Sequence, residues 1–174
     1  MLRLLLNLSG YYLVWFACVL SASRGYVWVG FIASIIVTML QVYCQSRFYS
    51  GRYLLHLIVA LTLVGFAIDS FLLNWHLLYF QANPFNPRAS APWMIGLWIN
   101  FAFILYAHIR SLFLRPWLLS VLALFGFPLA YYGGVVLGAA NLPQGYIGLM
   151  VLGVFWAVAF PATLRFFGFL IDDH

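Results

Sequence analysis

The chain contains no lysine and no glutamate, and its acidic residues are only Asp69, Asp172 and Asp173. Charged residues make up 6% of the sequence, against roughly 25% in a soluble domain. So few charges cannot cover a water-facing surface, which excludes an ordinary soluble fold. The eight basic residues are all arginine and stand singly between apolar runs. That spacing forms no basic patch, so the net charge of +5 does not indicate a nucleic-acid partner. The two cysteines, Cys18 and Cys44, belong to no CxxC motif. A Walker loop, a dinucleotide fingerprint, an HExxH pair and a nucleophile elbow are all lacking. No reaction can be read from motifs, and neither a metal nor a cofactor is expected.

What is present is apolar: 66% of residues are hydrophobic and 20% aromatic. A membrane-spanning helix needs about 20 apolar residues. Six runs qualify, at about 4–22, 26–44, 53–73, 92–109, 116–139 and 146–170. The expected fold class is therefore all-α: a polytopic membrane protein with six transmembrane helices in a single domain, 1–174. The first run follows a single arginine, and Ser21-Ala22-Ser23 imitates a cleavage site. With five further runs behind it, it reads as a retained helix rather than a cleaved signal. Pro92 and Pro116 each precede a tryptophan and suit the first turn of a helix at the membrane interface.

Arginine placement sets the orientation. Arg3, Arg47, Arg52, Arg110, Arg115 and Arg165 fall on one side of six alternating spans, and Arg24 and Arg88 on the other. The positive-inside rule then puts both termini in the cytoplasm. The longest gap, 74–91, lies on the outer side. Its aromatic first half has the pattern of a short interfacial helix, and Asn83-Pro84 and Asn86-Pro87 give its second half turn chemistry.

Polar side chains in hydrocarbon should face neighbouring helices. Asn7, Tyr11, Trp15 and Cys18 recur at helical spacing, as do Ser34, Thr38, Gln41 and Gln45, and Gly96, Asn100, Ile104 and His108. Interhelical hydrogen bonding is preferred for these stripes over a substrate cavity. Ala130, Gly134 and Gly138 in the fifth run, and Gly153, Ala157 and Pro161 in the sixth, read as small-residue packing faces. Asp69 stands apart as the one acid within an apolar run. It forms a candidate intramembrane polar site with Asn100, Thr62, His76 and Arg88; the Trp98 indole is a further candidate partner. It reads equally as a proton acceptor or anchor and as a buried tie for the outer loop. His56 and His108 fall at one depth on adjacent helices, beside Arg52, Arg110 and Arg115. Plain interfacial hydrogen bonding is the first reading of this pair, a lipid headgroup site the second, and a haem or metal the third.

The whole chain resembles a family of small six-helix bacterial inner-membrane proteins classed as a domain of unknown function. The resemblance rests on Trp15-Phe16-Ala17-Cys18-Val19, on Asp69-Ser70, and on Pro92-Trp93 with Leu97-Trp98. It extends through His108 with Ser111-Leu112, and Phe127-Pro128-Leu129-Ala130-Tyr131 with Gly134 and Leu137-Gly138-Ala139. It implies a multi-pass protein of the bacterial inner (cytoplasmic) membrane. It also implies a lipid-related role, since genes of this family neighbour genes for fatty-acid or phospholipid modification. It implies no catalytic residue. The expected function is a non-enzymatic accessory or scaffold component of a membrane-lipid or envelope pathway. Its partners would be membrane lipid and a protein in the membrane. The alternatives are a small lipid or solute transporter using Asp69 and an intramembrane lipid-modifying enzyme.

Overall fold

The computed structural model describes residues 2–45, 51–108 and 116–172, with the side chains of 2, 108, 116 and 167–172 outside that description. Among the described residues there are six helices: α1 (Leu2–Ser23), α2 (Val29–Gln45), α3 (Gly51–Asn74), α4 (Pro92–His108), α5 (Pro116–Val136) and α6 (Tyr146–Asp172). Helices α1, α3, α5 and α6 are long and apolar enough to cross a bilayer. Helices α2 and α4 have 17 residues each, roughly 25 Å at 1.5 Å per residue, the short end of what spans a hydrocarbon core. Arg47, Arg110 and Arg115, which carry half of the basic side in the charge count, lie outside the described residues.

Helix α4 runs through the middle, packed against α1, α2 and α3, while α5 pairs with α6 and α6 with α3. Its sequence dictates that place. Between Pro92 and Ala107 only Asn100 carries a side-chain amide or hydroxyl apart from Tyr106, so α4 has no polar face to offer. A helix that is apolar all round belongs inside, and Met94, Trp98, Ala102 and Phe103 are buried. The outside of the bundle is apolar too: Leu13, Leu63, Leu129, Met150 and Val158 are each more than half exposed, the surface of a protein whose solvent is lipid.

Three helices end alike at the end of the bundle that carries the 74–91 loop, here called the loop end. Tyr26 N–H donates to Ser21 O (2.9 Å), Leu77 N–H to Leu72 O (3.0 Å) and Ala139 N–H to Gly134 O (2.8 Å). Each bond reaches back over a left-handed residue: Gly25 (φ 83°), His76 (φ 56°) and Gly138 (φ 78°). This is the Schellman closure, which satisfies the last carbonyls of a helix and favours glycine at the left-handed position.

The interfacial helix expected in the first half of 74–91 is not there. Past the cap at His76 the chain extends, and β1 (Tyr79–Phe80) pairs antiparallel with β2 (Ala140–Asn141). Phe80 is 1% exposed and Tyr79 43% exposed. The strand puts the Phe80 ring in the core and the Tyr79 ring outside, as successive residues of a strand point to opposite faces. The second half of the loop is turns, as its Asn-Pro pairs predicted, with Asn86-Pro87 cis.

The small-residue faces behave differently in α5 and α6. Pro128 leaves the carbonyl of Leu124 without its helical donor. Gly153 of α6 sits against that carbonyl and against the Pro128 ring, where a Cβ would come within 2.8 and 3.0 Å. Absence of a side chain at Gly153 lets α6 sit directly against the α5 backbone there. By contrast, Gly134 of α5 has open space where its Cβ would be. The α5 stripe read as a packing face therefore does not close on a neighbouring helix at that point.

Candidate functional site

Asp69 is 0% exposed. Helix α3 turns it inward on the face that also presents Leu61, Gly65 and Leu72. Three donors meet its carboxylate. The Tyr131 hydroxyl of α5 donates to Oδ1, the Trp98 indole N–H of α4 donates to Oδ2 at 3.0 Å, and the Ser90 hydroxyl donates to Oδ2 at 3.3 Å. None of the three carries a charge. A carboxylate is an acceptor, and the indole N–H can only donate, so the set matches what a buried acid requires. The neighbouring Ser70 strengthens the arrangement: its hydroxyl accepts from Ser90 N–H at 3.0 Å. Asp69-Ser70 thereby ties the loop to the bundle just before α4 begins.

The expected partners of Asp69 are mostly elsewhere. Trp98 is one of its donors; Asn100 is not. The two are two residues apart on α4, so they face different neighbours. Asn100 instead donates to Thr38 Oγ1 and Gln41 Oε1, each at 2.8 Å, on α2. Thr62 lies two turns along α3 from Asp69, roughly 10 Å away at 1.5 Å per residue, and its hydroxyl has no partner among the described residues. His76 is exposed and occupies the left-handed cap of α3. Arg88 is exposed, and it is its backbone carbonyl that accepts from Asn74 Nδ2, at 3.2 Å. Tyr131 and Ser90 were not among the partners expected for Asp69. A tyrosine hydroxyl deep in an apolar run needs a partner, and that was the available signal for Tyr131.

The polar stripes of α1, α2 and α4 do converge. Asn7 and Gln45 exchange amide hydrogen bonds, Gln41 Nε2 donates to Asn7 O at 3.2 Å, and Asn100 joins from α4. Ser34 stands against Gly96, where no Cβ would fit. This is interhelical hydrogen bonding of the expected kind, worth about 0.6 kcal/mol per contact on average. Cys18 is buried and donates to Gly30 O at 3.3 Å, while Cys44 is exposed; both are free.

Of the second constellation, His56 and Arg52 are described, and both are exposed on the first turns of α3. His56 Nδ1 lies 2.7 Å from Arg52 O on its own helix. The His108 side chain, Arg110 and Arg115 lie outside the described residues. Among the described residues no three His, Cys, Asp or Glu side chains converge.

Beside the carboxylate lies a cleft. Tyr11, Trp15 and Val19 of α1 form one wall, Phe127, Ala130 and Gly134 of α5 the other, and Trp98 and Phe101 of α4 the floor. Tyr131, whose hydroxyl holds Asp69, is part of the lining. A second space, sharing Tyr11, Phe101, Phe127 and Ala130 with the first, extends the cleft toward the start of α5 beside Gly126, Leu122 and Leu119. Stacked rings back it: Trp156 lies 4.6 Å from Trp98 and 4.5 Å from Phe127, centroid to centroid.

Six apolar helices, four of them of spanning length, around an enclosed carboxylate define an integral multi-pass membrane protein. The chain belongs to DUF2878, a family described as a protein of unknown function, whose model matches residues 4–162. No curated protein and no solved structure matches it.

Proposed function

We propose that the protein is a non-enzymatic accessory or scaffold component of a membrane-lipid or envelope pathway in a bacterial inner membrane. One observation carries the non-enzymatic part. The acid within the membrane-spanning helices is wholly enclosed, and its partners are uncharged donors from α4, α5 and the loop end. A transport path needs an acid that water or a solute reaches, and an acid–base pair needs substrate within hydrogen-bond reach. Asp69 with its three donors is instead a tie between three segments. The lipid part is supported by the family resemblance and by the cleft, whose lining is mostly aromatic and aliphatic and carries no charged side chain.

Total lipid profiles of cells with and without the gene test this reading. Deletion should change acyl or headgroup composition, and both the wild-type chain and Asp69→Asn should restore it. An unchanged profile overturns the pathway assignment. Solute movement or lipid conversion by the purified protein in vesicles, abolished by Asp69→Asn, would favour a transporter or an enzyme instead.

The orientation belongs to the same proposal: six spans with both termini cytoplasmic, as the arginine count requires. A cysteine placed at Ser50, between Arg47 and Arg52, should stay unlabelled by an impermeant thiol reagent added to intact spheroplasts and become labelled after lysis. Labelling before lysis inverts the topology.

A further inference from the structure

Leu122 and Gly126, which line the cleft, are exposed on the flank of α5, a helix of membrane-spanning length, so the medium at that mouth is hydrocarbon. It holds about 230 Å³ beside Leu119, Leu122 and Gly126, and about 50 Å³ further in, beside Trp98 and Tyr131. Left empty, such a space forfeits the dispersion contacts of its walls. Water gains little there, because the lining is mostly aliphatic and aromatic, the Tyr131 hydroxyl already serves Asp69, and the Tyr11 hydroxyl alone is fewer than the two to four partners a buried water needs.

Shape chooses among apolar occupants. Toward the loop end α1 closes on α5: the Trp15 ring stands against Gly133, and Ser23 lies beside Gly138. A helix, roughly 10 Å across, cannot enter a slot closed in this way; a single unbranched chain can. From Leu119 to Gly134 the cleft follows roughly 22 Å of α5 at 1.5 Å per residue. That exceeds the roughly 15 Å of hydrocarbon in one leaflet. We infer that the α1–α5 cleft holds one acyl chain of a membrane lipid, inserted from the start of α5 with its tip toward Trp98 and Tyr131. Glycine keeps the path clear: Gly126 and Gly134 both line the cleft, and nothing lies within 4 Å of where either Cβ would be. A side chain begun at either position would project into the path, since its Cβ meets no neighbour within 4 Å. This inference deepens the lipid reading and rests on it only for its cellular role.

The test uses the full chain in phosphatidylethanolamine vesicles doped with a phosphatidylethanolamine that carries a diazirine midway along one acyl chain. After illumination, adducts are mapped by peptide mass spectrometry. They should concentrate on Phe101, Phe127 and Ala130 rather than on lipid-facing Val154 and Val158. In Gly126→Leu and in Gly134→Leu the cleft adducts should fall about tenfold, with those on Val154 and Val158 unchanged. Adducts spread evenly over the helices overturn the inference. So do cleft adducts indifferent to both leucines, or cross-links joining two copies of the chain through the cleft. Elution volume and helical circular dichroism check each variant; should both misfold, the wild-type map decides alone. An unchanged cellular lipid profile beside a concentrated map would sink the pathway reading and leave the site standing. A changed profile with an even map would do the reverse.

Discussion

Asp69→Leu is expected to lower stability by about 3 kcal/mol or more. Leucine removes the acceptor and leaves three buried donors, from Tyr131, Trp98 and Ser90, without a partner; each orphaned group costs about 1–3 kcal/mol. Relief from burying the acid itself offsets part of that sum. Asp69→Asn should cost much less, about 1 kcal/mol, for a reason visible in the donor set. The asparagine carbonyl can accept from the Trp98 indole, which can only donate. Its amide can then face a hydroxyl, and both Tyr131 and Ser90 can turn from donor to acceptor. Melting in detergent micelles, followed by tryptophan fluorescence, reads both variants. A leucine variant that melts with the wild type would show that the carboxylate ties nothing. An asparagine variant as damaged as the leucine one would show that the negative charge itself is required, and the accessory reading would lose its main support.

The sequence carried the helices well because their cause is local. Apolar runs with Pro at the start and Gly or a turn at the end need nothing from elsewhere to be read, and the six helices emerge with shifts of a few residues. Asp69 was equally conspicuous, since charge within hydrocarbon is rare. Its partners were not, and helix geometry explains which could have been chosen. Trp98 and Asn100 were both candidates, yet a two-residue step turns them to different faces, so one of them had to belong to another helix. Ser90 reaches Asp69 from a loop held by the Ser70 hydroxyl and by a pairing between 79–80 and 140–141, neither of which a local pattern announces. Tyr131 arrives from a helix 62 residues away. The α5 stripe shows the same limit from another side. Periodicity identified Ala130 and Gly134 as one face of small residues. It could not say whether a helix or a cleft lay opposite, because small residues serve close packing and open space alike.

The second large effect is expected at Gly65, whose place on α3 is fixed by the ring beside it. A methyl group there would overlap the Trp98 indole, at its nitrogen and at the ring-fusion carbons. That ring has little freedom to yield: it is 4% exposed, stacked on Trp156 and bonded to Asp69. Gly65→Ala should therefore cost about 1–3 kcal/mol by overpacking, and more if the indole gives up its hydrogen bond. The same substitution at Gly126 meets open space. There alanine should be neutral or should stabilise α5 by up to about 1 kcal/mol, the helix preference of alanine over glycine. The pair separates steric fit from helix propensity, because the chemistry of the change is identical. Trp98→Phe supplies the decisive cross. Alone it should destabilise, since it removes a donor to Asp69 and leaves a gap. Combined with Gly65→Ala it should cost less than the two single changes together, because the smaller ring admits the methyl. Contacting residues commonly couple by about 0.5–3 kcal/mol. Strict additivity in the melting series would mean that the glycine and the indole do not touch, and the carboxylate would then need another explanation for how α3 and α4 hold it between them.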